Sequence, residues 1–296
     1  MQMAKTHDWR WRDLTNAALF LAPVVVLIMV LRLVPALSAV ADSVQSTGIG
    51  RNASTQFVGT EHFAKLFSSA NFWSSVQQTL IFNLLVNPIQ IIIALALAVL
   101  LSQGLPASGI WRTLVFLPSA VPLAGSSIVW GLALRPDGPI NGLLALAAIP
   151  PQPFLTSPEQ VVFSIILLAS WIGCGTWMVF LIAGLKDIPP VYYEAAKIDG
   201  SDPVRTFFLI TLPLLRRPLL FVLVADTVAN FVLFAPVQIL TAGGPQRKSN
   251  FLMYDIFHRS FDLSDPHMAA AELVVLLAIM IAIVALQFKL LGGQED

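Results

Sequence analysis

Six long apolar stretches dominate this sequence and restrict what it can fold into. The hydrocarbon core of a bilayer is about 30 Å thick and requires roughly 20 apolar residues in a helix, because lipid offers no partner for unpaired backbone groups. Stretches of this length lie at about 17–40, 78–102, 112–134, 161–185, 217–240 and 268–290. The sequence therefore predicts an all-α polytopic membrane protein with six transmembrane helices.

Composition agrees with a membrane protein and excludes several other classes. Hydrophobic residues make up 56% of the 296 residues and charged residues 11%, against roughly 25% charged in an average soluble domain. The formal net charge is zero, which gives no reason to expect a nucleic-acid partner. The single cysteine, Cys174, cannot form a disulfide or a thiolate metal site within one chain. The four histidines show no metal-ligand spacing, and we expect them to be solvated: His7, His62, His258 and His267.

Basic residues predict the orientation in the membrane. With six spans both termini lie on one side, and ten lysines and arginines fall on that side against six on the other: Lys5, Arg10, Arg12, Arg112, Lys186, Lys197, Arg205, Arg216, Arg217 and Lys289 against Arg51, Lys65, Arg135, Arg247, Lys248 and Arg259. The positive-inside rule then places both termini in the cytoplasm of a bacterial cell. We divide the chain into a cytoplasmic N-terminus (1–16), a transmembrane domain (17–291) and a cytoplasmic tail (292–296). The first span is longer than the apolar region of a signal peptide, so we expect it to be retained.

The cytoplasmic loop at 186–217 carries the most specific local pattern. Pro189 and Pro190 suit the start of a short helix, and Gly200 suits its left-handed C-terminal position. Asp202 or Ser201 can cap a second helix that has Pro203 in its first turn. The loop is therefore predicted to form two short helices.

The first of these helices presents a mixed face. Tyr192, Ala195, Ala196 and Asp199 recur at spacings of three and four residues, so they share one side of a helix. Such a face can seat in a groove on another protein. An amphipathic loop lying against the membrane surface explains the same pattern, and the residues alone leave both interpretations open.

The loop resembles a known family. Glu194-Ala195-Ala196, followed by Gly200 and later by Ile210-Thr211-Leu212-Pro213, is similar to the EAA loop of binding-protein-dependent ABC importer permeases. Further segments place the resemblance closest to maltose-type carbohydrate permeases: Phe57-Val58-Gly59, Trp111-Arg112-Thr113, Phe116-Leu117-Pro118, Ala183-Gly184-Leu185, Ile188-Pro189-Pro190 and Leu240-Thr241-Ala242-Gly243-Gly244-Pro245.

The resemblance implies a type I ABC importer permease fold and a set of partners. These are a second homologous permease subunit, two ATPase subunits, an extracytoplasmic solute-binding protein and membrane lipid. It also implies that the loop docks in a cleft of the ATPase subunit and transmits its closure. The residues that would make this coupling contact are Tyr193, Glu194, Ala195, Ala196, Asp199, Gly200 and Pro213.

The chain itself has no visible means of using ATP. It lacks a Gly-x-x-x-x-Gly-Lys-Ser/Thr phosphate loop and any clustered nucleophile, base or metal set that would indicate an enzyme. We therefore expect no cofactor on this chain, with ATP and Mg on the partner ATPase subunit.

Polar residues inside the spans are candidates for the substrate pathway, since a sugar must exchange water for protein hydrogen bonds. Asp226, Asn230, Phe234 and Gln238 follow the fifth span at intervals of about four residues, and Asn83 and Asn87 follow the second. Structural pairing of Asp226 and polar contacts between helices are the alternatives. Carbohydrate permeases often carry Asp where this chain has Ala235, which weakens the analogy for substrate contacts.

The sequence thus favours a permease subunit that imports a mono- or oligosaccharide by alternating access. Glycerol 3-phosphate or a polyol is the alternative cargo, although Arg32 is the only basic residue within a span that offers a phosphate partner. An ion-coupled secondary transporter and a membrane-embedded enzyme are the other classes, and the EAA loop argues against the former.

Overall fold

The structure is a computed structural model that describes residues 11–47, 54–104 and 106–291. The predicted tail 292–296 and most of the predicted N-terminal segment, residues 1–10, lie outside the described residues.

The described chain is helical apart from one small hairpin. The helices are α1 (Trp11–Ile28), α2 (Val34–Asp42), α3 (Glu61–Ser68), α4 (Ala70–Ser102), α5 (Ser108–Phe116), α6 (Leu123–Ala133), α7 (Pro139–Leu146), α8 (Val161–Lys186), α9 (Pro190–Ile198), α10 (Pro203–Thr206), α11 (Leu212–Leu214), α12 (Arg216–Phe231), α13 (Ala235–Leu240), α14 (Leu252–Phe257) and α15 (Pro266–Leu291). The antiparallel strands β1 (Gln45–Thr47) and β2 (Thr55–Phe57) pair with Gln45 opposite Phe57. Short π-helical turns join α1 to α2, α10 to α11 and α14 to the loop before α15, and a 3₁₀ turn follows α5.

The predicted spans are present, with one qualification. Within the described residues, five helices are long and apolar enough to cross a membrane, and the bent pair Ser108–Ala120 and Leu123–Ala133 makes a sixth span if it is counted as one. The third span, predicted over 112–134, is sharply bent, since its two halves meet at 95°. Pro118 and Pro122 lie at the corner and cannot donate the backbone hydrogen bonds that a continuous helix needs.

Two other spans differ from the prediction in detail. Helix α4 begins eight residues earlier than the predicted start at 78, where the Ser69 hydroxyl accepts a hydrogen bond from the Phe72 amide and so caps the helix. In the fifth span α12 ends at Phe231 and α13 begins at Ala235, with Pro236 in its first turn. The predicted start was too late because the first turns of α4 contain polar residues.

The long helices α4 and α8 form the centre of the bundle, and α12 and α15 pack beside them. Phe82 of α4 stacks on Phe251 at a ring-centroid distance of 4.5 Å, within a cluster of buried side chains that includes Ile165 of α8 and Val237 of α13. A second cluster, at the end of the bundle next to the loop at 186–217, joins α4, α8 and α12, with Leu215 fully buried. These clusters pack the two broken spans, α5–α6 and α12–α13, against the continuous helices α4 and α8.

Close backbone packing fixes the corner of the third span. A Cβ atom at Gly175 of α8 would lie 2.3 Å from the Val115 carbonyl oxygen and 2.9 Å from the Phe116 Cα. Only a residue without a side chain permits this approach. Gly175 therefore lets α8 support α5 where the backbone leaves its helical path.

A histidine pair, His62 and His267, lies against the hairpin β1–β2. His62 is buried, and its Nε2 donates to the Gln45 carbonyl at 2.9 Å. His267 Nδ1 donates to the Asp42 carbonyl at 3.1 Å, so its Nε2 accepts from the Thr47 hydroxyl at 2.9 Å. The prediction that His62 is solvated was wrong, because the hairpin β1–β2 folds over it.

The Gly175 contact predicts that an alanine substitution destabilises the protein at Gly175 but not at Gly125. We expect Gly175→Ala to destabilise the protein by about 1–3 kcal/mol, because the methyl group meets backbone atoms that cannot rotate away. Gly125→Ala is the matched control, since nothing lies within 4 Å of an added Cβ in α6. The unfolding temperature of the purified complex measures both, and equal midpoints would contradict the role given to Gly175.

Candidate functional site

Helix α9, in the loop at 186–217, has the start and end that its sequence predicts. Pro189 is the N-cap and Pro190 occupies the first turn. At the other end Gly200 has φ +71°, its amide donates to the Lys197 carbonyl, and the Ser201 amide donates to the Ala196 carbonyl at 2.9 Å. These two bonds form a Schellman motif that satisfies the last carbonyls of the helix.

The second loop helix is capped by a carboxylate. Asp202 Oδ1 accepts hydrogen bonds from the amides of Val204 at 2.9 Å and Arg205 at 3.0 Å, as predicted for an N-cap. The chain then passes through a π-helical turn into α11, where Pro213 is exposed, and on to α12. From α10 onward the chain thus follows an almost unbroken helical path to α12, whereas Asp199 to Asp202 separate it from α9.

One side of α9 faces the later part of the same loop. The Tyr193 hydroxyl lies 3.2 Å from the Thr211 hydroxyl, and Ala196 is only 5% exposed. The prediction that Ala196 shares an outward face with Tyr192, Ala195 and Asp199 was therefore wrong. Helical periodicity places these residues near one another, but only packing against the bundle decides which of them turns inward.

The outward side of α9 is apolar and uncovered. Ile198 is 87% exposed, Val191 is 61% exposed, and Ala195 lies between them. Glu194 and Asp199 flank this side, and neither makes an ion pair within the described residues. We call Val191, Ala195 and Ile198 the outward face; it is a small apolar patch with acidic edges.

A polar cluster lies inside the bundle, around the side-chain amide of Asn230. Asn230 Nδ2 lies 2.8 Å from Asn87 Oδ1, 3.1 Å from Gln90 Oε1 and 3.2 Å from Asp226 Oδ1. Two hydrogens therefore serve three acceptors on α4 and α12. Each of these oxygens competes for the same donor group.

Two further helices join this cluster. Trp177 of α8 donates its indole N–H to Asp226 Oδ1 at 2.7 Å. The Thr227 hydroxyl oxygen accepts from Asn87 Nδ2 at 3.1 Å and from Gln287 Nε2 of α15 at 2.8 Å. Four spans are thus linked by side-chain hydrogen bonds within the membrane.

The carboxyl group of Asp226 is the unusual member of this cluster. Its side chain is buried at 1% exposure, and its Oδ2 has no hydrogen-bond partner among the described residues. Across the described ranges no lysine, arginine or histidine nitrogen lies within 4.0 Å of it. A carboxyl group in this position is stabilised by amide and indole donors alone.

The structure separates the predicted pathway residues into two groups. Asp226, Asn230 and Asn87 come together, whereas Asn83 donates to the Thr79 carbonyl of its own helix at 2.9 Å. The prediction that Phe234 continues the face of Asp226 and Asn230 was wrong, because α12 ends before it. Gln238 lies beyond the break on α13 and is exposed.

Sequence inspection missed an ionic cluster on the loop before the last span. Arg259 Nε lies 2.9 Å from Glu272 Oε2, and Glu272 is fully buried. Asp255 pairs with Arg247 at 3.2 Å and with Arg259 at 3.5 Å. A buried acid one turn into a span, following a loop with two arginines, is the signal that could have revealed the pair.

Neighbouring Tyr254 adds no charge to this ionic cluster. Burial raises the pKa of its hydroxyl, and the carboxylates of Asp262 and Asp255 raise it further. The phenol therefore remains neutral beside the four paired charges. No group of three or more His, Cys, Asp or Glu that could hold a metal ion occurs in the described part of the chain.

Known proteins resemble this arrangement along most of the chain. The family model described as "Binding-protein-dependent transport system inner membrane component" matches residues 90–292. The lactose transport system permease protein LacF of Rhizobium radiobacter is 33% identical over 279 residues, covering 92% of this chain and 93% of that protein. The sn-glycerol-3-phosphate transport system permease protein UgpA of Pectobacterium atrosepticum is 34% identical over 238 residues, covering 80% of each.

A solved structure shares the fold. The chain superposes with a TM-score of 0.81 on a bacterial alginate ABC transporter in complex with an alginate pentasaccharide-bound periplasmic protein, at 20% identity over 94% of this chain and 96% of that chain. This confirms the predicted type I ABC importer permease fold. Together with the match over residues 90–292, it shows that the chain is a multi-pass membrane subunit belonging to the family of binding-protein-dependent transport system inner membrane components.

Proposed function

We propose that this chain is one membrane-spanning subunit of an ATP-driven importer that takes up a carbohydrate by alternating access. The outward face of α9 carries this proposal, because an exposed apolar patch on a capped helix that directly follows a span is suited to dock on another protein. The EAA pattern of Glu194, Ala195, Ala196 and Gly200 lies on the same element.

ATP and Mg would bind to partner ATPase subunits, two in the complete importer. Ala195 and Ile198 would insert into a cleft of one ATPase subunit, with Glu194 and Asp199 at the rim. The Tyr193–Thr211 contact and buried Ala196 would pass the movement of α9 to α12. Rigid docking of this kind moves a whole span rather than a loop.

A second, homologous permease subunit would cover the first span. The helix Asn16–Asp42 is apolar along its 27 residues, yet 0% of its most apolar window is buried by the rest of this chain. Since a transport pathway needs walls on all sides, the second subunit would complete the ring. Both termini would then lie in the cytoplasm, and an extracytoplasmic binding protein would deliver the cargo on the opposite side.

The cargo we propose is a neutral mono- or oligosaccharide. The relatives named above carry lactose or sn-glycerol-3-phosphate in their names. The cluster around Asn230 offers amides, a hydroxyl, an indole and the carboxyl group of Asp226, without a basic side chain nearby. Phosphate esters require basic partners, and an adjacent carboxylate repels them, so glycerol 3-phosphate is the second candidate.

Asp226, Asn230 and Asn87 would form part of the pathway, with Gln238 nearer the outer side. In the described conformation the first three are buried inside the bundle. Transport would therefore require α12 to move relative to α4, exposing the cluster to the cargo. A sugar hydroxyl can replace an amide partner at little net cost, since one hydrogen bond is exchanged for another.

The cargo class can be tested with the complete importer. We expect its binding protein, loaded with a neutral oligosaccharide, to stimulate ATP hydrolysis by the purified complex. The unloaded binding protein is the control. Equal or greater stimulation by the glycerol 3-phosphate-loaded form would contradict the proposed cargo while leaving the importer assignment intact.

Gly200 provides a test of coupling. We expect Gly200→Val to reduce uptake while ATP hydrolysis continues, because a β-branched residue at positive φ strains the turn by about 1–2 kcal/mol. Gly200→Pro should uncouple more strongly, since proline fixes φ near −65°, whereas Gly200→Asn should retain coupling.

Gly109→Val is the matched control for this series, since both glycines have open space around an added Cβ and only Gly200 needs a positive φ. The ratio of sugar imported to ATP hydrolysed is measured for each variant. Equal ratios in all four variants would contradict the coupling role of Gly200.

Accessibility to a thiol reagent tests the pathway. In a Cys174→Ala background we expect Asn230→Cys to react with a hydrophilic reagent only during turnover, because motion of α12 must expose it. Val228→Cys, on the exposed side of the same helix, should not react in any state, since it faces lipid. An Asn230→Cys variant that never reacts, together with unchanged uptake by Asn230→Ala, would identify the cluster as purely structural.

A further inference from the structure

A cavity of about 920 Å³ lies behind α9, on the side away from the outward face. The ends of α4 and α8 and the segment from Ser201 to Thr211 enclose it. Its lining is partly polar and partly apolar, and includes Lys186, Lys197, Tyr193, Val99, Leu185 and Phe207. The proposed function makes no use of this cavity.

Two unpaired ammonium groups border the cavity. Lys186 lies in the last turn of α8 and Lys197 in the last turn of α9. Within the described ranges no carboxylate oxygen lies within 4.0 Å of either one. Glu194 also contributes to the lining, so two lysines oppose one glutamate and an excess positive charge remains. An anionic ligand is favoured in such a place.

The depth of the cavity indicates where the ligand comes from. Helix α4 ends at Ser102 and α8 ends at Lys186, so the cavity lies where two spans leave the hydrocarbon. This is the level of the lipid phosphate groups on the cytoplasmic side. Val99, Leu185 and Phe207 line it together with the lysines, and a soluble anion would gain nothing from these apolar side chains.

We propose that the cavity binds the headgroup of an anionic phospholipid. The phosphate diester would lie between Lys186 and Lys197, and the start of an acyl chain would follow Val99 and Leu185. Basic pockets between membrane helices on the cytoplasmic side recognise anionic headgroups in this way. The lipid would support α9 from behind while its outward face remains free for the ATPase subunit.

Titration of phosphatidylglycerol into the purified, delipidated importer complex tests the proposal, with bound lipids counted by native mass spectrometry. We expect Lys186→Gln and Lys197→Gln to weaken phosphatidylglycerol binding about fivefold each and about 30-fold together, from the contribution of each basic residue near an anionic surface. Lys289→Gln is the matched control, because Lys289 is also exposed in the last turn of a span helix but does not line the cavity.

Three outcomes would overturn the proposal. One is equal phosphatidylglycerol binding by the native complex and the double variant, and another is equally tight binding of phosphatidylcholine. The third is displacement of the bound lipid by excess soluble glycerol phosphate, which would assign the cavity to a free anion. The proposal is supported if the double variant loses one phosphatidylglycerol per copy of this chain and Lys289→Gln loses none.

Discussion

The absence of water as a hydrogen-bond partner in the hydrocarbon core governs this structure. A backbone group freed inside the membrane must find a partner within the protein, so the two broken spans are possible only where other helices support them. At the corner of the third span the Ser119 hydroxyl donates to the Phe116 carbonyl at 2.6 Å, and Gly175 brings α8 against the same turn. In the fifth span the Leu233 amide donates to the Asn230 carbonyl at 3.3 Å. Each break is thus placed against α8 or α4.

The same constraint explains why the central cluster is built from amides. A fully charged pair in the middle of the bundle would have to recover a large desolvation cost, and it would resist the movement that alternating access requires. Asn230 instead shares two hydrogens among three acceptors, so its bonds can be exchanged individually. Among the residues that the structure describes, the ion pairs lie outside that cluster, and one of them, between Arg259 and Glu272, holds the loop before α15. Ion pairs thus stabilise the loop before α15, whereas amide, hydroxyl and indole hydrogen bonds around one carboxyl group join the spans at the centre.

Spans and caps were predictable because each depends on local sequence. Twenty apolar residues require a membrane helix, and Pro190, Gly200 and Asp202 fix the bounds of short helices through their own backbone chemistry. The inward turn of Ala196, the end of α12 before Phe234 and the burial of His62 were not predictable in this way. Each depends on which other element packs against the residue: the bundle behind α9, the corner formed with α13, and the hairpin over α3. The partnership of Glu272 with Arg259, thirteen residues apart, likewise requires the tertiary fold.

Helix α9 combines these constraints in nine residues. Its inward side contacts the π-helical turn before α11 through Tyr193 and Thr211, and Leu215, which directly precedes α12, is completely buried. Under the proposed function, a displacement applied at Ala195 or Ile198 would pass through Tyr193 and Thr211 toward α12, which carries Asp226 and Asn230. The outward face and the polar cluster would then be linked through the segment from Thr211 to Arg216. A lipid headgroup behind α9 would add stiffness on the remaining open side, where the protein alone leaves a cavity between Lys186 and Lys197.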